Sequence, residues 1–127
     1  MGGREMKIAI PVHRGRLSLH FGHSEVFALF EVDSREKIIR EKKILSPPQL
    51  EPGSWPRWLC NKGVDLIIAG AMSIQAIKRF EQDNTEVLLG APSEDAESII
   101  KVYLEGVLNT DNNIYHTKYH HTESMDA

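Results

Sequence analysis

Val64-Asp-Leu-Ile-Ile-Ala-Gly70 is the stretch that decides the fold of this chain. The run is almost continuously apolar, which is typical of a parallel strand that helices cover on both faces. Ala71-Met-Ser73 follows as a tight turn, and Ser73 is predicted to cap an amphipathic helix over residues 74–82. A strand that leads at once into a helix predicts a right-handed crossover to another parallel strand, and therefore an α/β protein.

The chain beyond this helix continues the alternation of strand and helix. Thr85-Glu-Val-Leu-Leu-Gly90 is the next predicted strand. Ser93 is predicted to cap a long final helix, and Glu94 and Asp95 place negative charge at its start, where the helix dipole favours it. The apolar face predicted for that helix comprises Ala96, Ile99, Ile100, Tyr103 and Val107.

The chain before the central run contains three further strand patterns. Met6–Val12 is rich in isoleucine and valine, and Val26–Asp33 is aromatic and β-branched. Ile38–Leu45 mixes apolar and charged residues as an edge strand does, and the polar turn before it predicts an antiparallel hairpin. A proline-rich loop over residues 46–54 then leads into a short helix, for which Ser54 is the predicted N-cap.

The resulting order of elements, β-β-β-α-β-α-β-α, predicts a three-layer α/β fold. Its sheet should be mixed, five-stranded and mostly parallel, with helices on both faces. A single domain is expected to span residues 6–108, following a short extension over residues 1–5. Residues 109–127 are polar and are expected to form a tail.

Composition narrows the functional classes. The net charge of -3 argues against nucleic-acid binding, which usually shows as a basic surface. No apolar run is long enough to span a bilayer, so no membrane association is expected. The single cysteine, Cys60, excludes an intramolecular disulfide and favours a reducing cytoplasm. The chain lacks a P-loop, a dinucleotide glycine fingerprint and a Gly-x-Ser-x-Gly elbow, so a binding or carrier role is predicted rather than catalysis.

His13-Arg-Gly-Arg-Leu-Ser-Leu-His-Phe-Gly-His-Ser24 concentrates the chemically active side chains in a predicted loop after the first strand. It holds three of the six histidines and two arginines, without an acidic residue. Arg14 and Arg16 are candidates for contacts to an anion, because guanidinium is rarely buried unpaired. His20 and His23 are candidate ligands for a transition metal, and the alternative is surface histidines that bind nothing.

The carboxyl end of the central strand supplies the remaining candidates. Ligands in open α/β sheets gather at the carboxyl ends of parallel strands, so this end should face the histidine stretch if the two strands are neighbours. Gly70 would let the backbone approach a ligand, and the helix at Ser73 would direct free N–H groups toward it. Cys60 is a candidate soft-metal ligand as a thiolate, although a lone helical cysteine is usually a small buried apolar residue.

Four segments, taken in their order along the chain, form a recognisable set. They are Lys7-Ile-Ala-Ile-Pro11, His20-Phe-Gly-His-Ser24 with Phe27, Gly63-Val-Asp-Leu-Ile-Ile-Ala-Gly-Ala-Met72, and Tyr103-Leu-Glu-Gly-Val-Leu108. The set resembles the dinitrogenase iron–molybdenum cofactor biosynthesis family of nitrogenase accessory proteins. The resemblance covers nearly the whole predicted domain. It marks His20, Phe21, Gly22 and Ser24 as motif positions and includes Gly70 and Met72.

The resemblance implies a ribonuclease-H-like fold and a non-catalytic protein that binds or carries iron–molybdenum cofactor, its precursors or another metal–sulfur cluster. A cluster donor or acceptor protein would then be the partner. Relatives often have arginine at the position of His23, and often carry histidines in the loop where this chain has residues 46–54. Two alternatives stay open: a regulatory or interaction module without a cluster, including a homodimer through an edge strand, and a small-anion sensor at Ser73.

Overall fold

The computed structural model describes residues 5–108 as a layered α/β domain. The strands are β1 (Glu5–His13), β2 (Arg16–Leu17), β3 (Val26–Asp33), β4 (Ile38–Leu45), β5 (Leu66–Ile68) and β6 (Glu86–Leu88). The helices are α1 (Trp55–Cys60), α2 (Ile74–Gln82) and α3 (Ala96–Leu104). Residue 5, predicted in the N-terminal extension, therefore belongs to β1. The tail predicted for residues 109–127 lies outside the described residues.

The sheet has the order β4-β3-β1-β5-β6, and the short β2 pairs with β1. β5 runs parallel to both β1 and β6, while β3 is antiparallel to β1 and to β4. Four of the five longer strands thus point the same way, which confirms the predicted mixed, mostly parallel sheet. The apolar run Leu66–Ile68 lies in the interior of the sheet, as its sequence indicated.

Different helices cover the two faces of the sheet. Because successive side chains of a strand point to opposite faces, neighbouring residues of one strand belong to different cores. Ile8 and Ile10 of β1 belong to the core beneath α3, whereas Ala9 belongs to the core beneath α1 and α2. The prediction of helices on both faces is confirmed. Within residues 5–108, none of the helices is long and apolar enough to cross a membrane.

Ser73 caps α2 as predicted, since its hydroxyl oxygen accepts a hydrogen bond from the Ala76 amide at 3.1 Å. The cap predicted for α1 is wrong. The Ser54 hydroxyl donates to the Glu51 carbonyl at 2.8 Å and bonds to no helical amide. Residues Pro52–Ser54 form a 3-10 turn that runs directly into α1, so this serine already has helical backbone angles and cannot act as an N-cap.

The start predicted for α3 is also wrong. Asp95 is the N-cap, and its carboxylate accepts a hydrogen bond from the Ser98 amide at 3.0 Å. Ser93 instead donates its hydroxyl to the Leu17 carbonyl at 2.9 Å, a contact across 76 positions of the chain. The helix ends at Leu104, so Val107, predicted on its apolar face, lies beyond it and is 65% exposed.

Candidate functional site

The stretch His13–Ser24, predicted as one loop, is a β-hairpin followed by a 3-10 turn. Arg14 and Gly15 form the two-residue hairpin turn, with φ of +55° and +79°. Positive φ at both central positions gives a turn whose twist suits the two flanking strands. The 3-10 turn then covers Phe21–His23. The histidines and arginines are therefore held on ordered backbone.

The hairpin is fastened to the segment that precedes α3. The Leu17 amide donates to the Glu94 carbonyl at 2.9 Å, and the Arg16 guanidinium donates to the Ser93 carbonyl at 3.0 Å. The Arg14 side chain is exposed, and its backbone amide donates to the Glu25 carboxylate at 2.9 Å. The structure thus gives Arg16 a positioning contact and leaves Arg14 in solvent, both of them on the hairpin rather than on the histidine turn.

The chain next crosses to the carboxyl end of β5. His20 forms a parallel bridge with Ala71, and the Phe21 amide donates to the Ala71 carbonyl at 3.0 Å. β1 and β5 are neighbours, as the sequence argument required, so their two turns meet. A Cβ on Gly70 would lie 2.9 Å from the Leu19 Cα. The absent side chain therefore makes room for this crossing backbone.

Two residues of the histidine motif lie in the interior. Phe21 is only 4% exposed, and its ring centroid lies 5.6 to 6.0 Å from those of Phe27, Trp55 and Phe80. The buried Ser24 hydroxyl donates to the Phe21 carbonyl at 2.8 Å. These two residues, predicted as cofactor-binding positions, hold the turn against the protein core.

The two histidines of the motif remain accessible. His20 and His23 are exposed, and their ring centroids lie 5.6 Å apart at an angle of 57°. The His23 amide donates to the His20 carbonyl at 2.9 Å, so the turn itself sets this spacing. Within residues 5–108, no group of three or more His, Cys, Asp or Glu side chains could hold a metal ion. The turn thus presents a pair of imidazoles, and the described part of the chain supplies no third ligand beside them.

A cavity of about 530 Å³, named here the α2 groove, adjoins the histidine turn. Phe21 and Gly22 line one side together with the Pro52 region, and the polar face of α2 from Ser73 to Gln82 lines the other. Lys78 and Arg79 supply its positive charge. Sequence reasoning missed these two cations, although their place on the polar face of an amphipathic helix was a readable signal. Met72 is half-buried beside the core beneath α1 and α2 and does not line the groove.

Cys60 lies at the opposite end of the parallel strands. Its thiol is 3.3 Å from the Thr85 hydroxyl, and Thr85 directly precedes β6. Burial raises the pKa of this thiol, while the hydrogen bond between the thiol and the Thr85 hydroxyl partly offsets the increase. The structure separates Cys60 from His20 and His23, and its environment favours the neutral thiol over the thiolate that binds metals.

The Cys60 thiol should therefore react with iodoacetamide several-fold more slowly in the folded protein than in the urea-unfolded chain at neutral pH. The rate should rise only as the solution becomes alkaline. Because folding raises the pKa of the thiol, the proton on Cys60 stabilises the folded state. This contribution is fully present at neutral pH and is lost as the pH rises through the pKa of the folded protein. Mass spectrometry of timed samples measures the rates, and equal rates in both states would contradict the buried neutral thiol.

Comparison with known proteins supports the family resemblance. The family model described as dinitrogenase iron-molybdenum cofactor matches residues 4–106. The chain belongs to this family. An uncharacterised Methanocaldococcus jannaschii protein is also 32% identical to it over 108 residues, which cover 81% of this chain and 89% of the relative.

Solved structures share this fold at low sequence identity. The crystal structure of PH0822 superposes with a TM-score of 0.78 at 22% identity, covering 85% of this chain and 96% of the other. The apo form of the orange protein from Desulfovibrio gigas gives a TM-score of 0.67 at 14% identity, covering 90% of this chain and 99% of the other. The family connects the chain with iron–molybdenum cofactor or metal-cluster handling.

Proposed function

We propose that this protein is a non-catalytic carrier for an anionic metal–sulfur cluster, of the iron–molybdenum or another type, or for its anionic precursor. The observation that carries the proposal is the exposed pair His20 and His23, held 5.6 Å apart at the carboxyl ends of β1 and β5. Buried Phe21 and Ser24 fix the turn that presents them. The family to which the chain belongs supports the same role.

The number of donors favours a cluster over a single metal ion as cargo. A protein-bound transition-metal ion commonly takes three or four protein ligands, and two imidazoles fall short of that number. A preassembled cluster brings its own sulfide ligands, so one or two imidazoles can complete its coordination. Lys78 and Arg79 in the adjoining groove would offset the negative charge of such a cargo.

The second candidate is an interaction module of the same fold that carries no cluster. It is favoured by the lack, within the described residues, of a third metal ligand beside the histidine pair. Residues 46–54 also contain no histidine. Native mass spectrometry of protein purified without oxygen separates the two candidates, because a reproducible metal-bearing mass would count against the module.

Replacement of His20 with alanine should strongly weaken cluster retention. Groups that merely support a metal ligand cost about 10–100-fold in affinity when lost, and loss of a ligand should cost at least as much. The test is anaerobic reconstitution with iron, sulfide and molybdate, followed by desalting and metal analysis. His23→Ala should also lower the metal content.

His13→Ala is the matched control, because His13 is an exposed histidine in the same stretch that lies 3.7 Å from Glu25, away from the pair. Its metal content should equal that of the wild type. Histidines beyond residue 108 are identical in all variants, so their background metal binding cancels in the comparison. Equal metal content in wild type and His20→Ala would overturn the carrier proposal.

A further inference from the structure

The α2 groove continues into a second and wider depression, the α1 groove, of about 820 Å³. This depression lies between the segment from Pro48 to Ser54 and the exposed face of α1. Gly53 and Arg79 line both grooves. The two grooves are therefore adjacent, and together they are named here the channel, which begins beside the histidine turn, follows α2 and ends at α1.

The channel is positively charged in a protein whose net charge is -3. Among residues 5–108, its ionisable lining consists of Arg57, Lys78 and Arg79 against the single carboxylate of Glu51. Within residues 5–108, no ion pair or hydrogen bond engages the side chains of Lys78 and Arg79. Among the described residues, the Arg57 side chain has one long ion-pair contact, 3.7 Å from its Nε to the Asp83 carboxylate. A concentration of unpaired cations attracts an acidic ligand.

The α1 groove also contains an apolar surface, formed by Leu50 and Trp58. Leu50 is 64% exposed there, and the half-buried Trp58 lies beside it in the lining. The Trp58 ring packs edge-on against Phe27 with centroids 5.6 Å apart, so it is a fixed surface. Protein–protein interfaces commonly combine an apolar anchor with a polar rim, and Leu50 and Trp58 offer a surface for such an anchor beside the cations.

We propose that this channel docks an acidic segment of a partner protein, with an apolar side chain of that segment covering Leu50 and Trp58. The acidic residues would lie along Arg79 and Lys78 toward the histidine turn. This docking would place the partner close to a cluster bound at the histidine turn, as a cluster donor or acceptor requires. The proposal rests on the proposed function only for the nature of that cargo. Complementary charge fixes the orientation and speeds the encounter.

A protein segment fits the channel better than a small inorganic anion does. An anion could neutralise Lys78 and Arg79, but it would leave the apolar surface at Leu50 in water. A segment that combines acidic and apolar side chains satisfies both parts at once, and its buried apolar anchor would provide much of the affinity.

The test is selection of random displayed peptides on the full-length protein, prepared without cluster, followed by fluorescence anisotropy of the enriched peptides. These peptides should combine acidic and apolar residues. The double variant Lys78→Glu with Arg79→Glu should weaken their binding by about tenfold or more. Leu50→Ser should weaken it by several-fold. The matched control, Arg35→Glu with Lys37→Glu, makes the same charge change at the turn between β3 and β4 and should bind as the wild type does.

Several results would overturn the proposal. These are enriched peptides without acidic residues, unchanged affinity in the Lys78/Arg79 variant, or equal loss in the control variant. Competition by sulfate at constant ionic strength as effective as that of the peptides would show a small-anion site instead. Self-association that the Lys78/Arg79 variant abolishes would make a second copy the occupant. Since the protein is tested without cluster, none of these results bears on metal retention by His20.

Discussion

Replacement of Phe21 with alanine should destabilise the domain by about 3–5 kcal/mol, the usual cost of removing a buried phenylalanine ring. Phe21 is 4% exposed and makes edge-to-face contacts with Phe80 and Trp55. These contacts join the histidine turn to α1 and α2, so no small shift of a surface loop can fill the space. A loss of this size is a large fraction of the stability of an ordinary domain.

Urea unfolding followed by circular dichroism measures the effect. The urea concentration at the midpoint should fall, while the dependence of the unfolding free energy on urea concentration should stay unchanged. His20→Ala is the matched control, because it removes the adjacent but exposed side chain and should change stability by no more than about 0.5 kcal/mol. The two variants thus divide the motif into a structural part and a part available to a ligand. If Phe21→Ala lowered the free energy of unfolding no more than His20→Ala does, the conclusion that Phe21 packs the turn into the core would be contradicted.

Replacement of Gly70 with alanine should destabilise the domain by about 2–3 kcal/mol, at the upper end of the usual range for overpacking. The new Cβ would lie 2.9 Å from the Leu19 Cα and 3.0 Å from the Leu19 carbonyl oxygen. Both are backbone atoms, so rotation of a side chain cannot relieve the clash. The backbone around Leu19 must move, and the bridge between His20 and Ala71 should weaken with it.

Urea unfolding measures the loss of stability, and hydrogen exchange of the Phe21 amide reports the bridge, because this amide donates to Ala71. Gly22→Ala is the control from the same region. A Cβ there would meet the Pro52 Cβ at 3.8 Å, an ordinary van der Waals distance, so little change in stability is expected. Unchanged exchange and stability in Gly70→Ala would contradict the close crossing of the two turns.

The candidate site could be predicted from the sequence only in part. The histidine pair and its place at a carboxyl edge followed from a motif and from a rule about parallel strands. The separation of exposed His20 from buried Phe21 and Ser24 did not, because neighbouring residues of a tight turn point in different directions. The role proposed for Lys78 and Arg79 depends on the segment around Pro52 lining the same cavity, and no local pattern encodes that arrangement.

The sequence by itself determined the class of the fold. Apolar runs, helical spacing and the order of elements are local properties, and they placed β3, β4 and α2 correctly, with Ser73 as the cap of α2. Tertiary structure decided how distant segments use their polar groups. Ser93 donates a hydrogen bond to the hairpin while Asp95 caps α3, and the missing side chain of Gly70 leaves space for the Leu19 backbone. The physical reason is that each of these contacts joins residues far apart in the chain, so its partner exists only once the layers have packed.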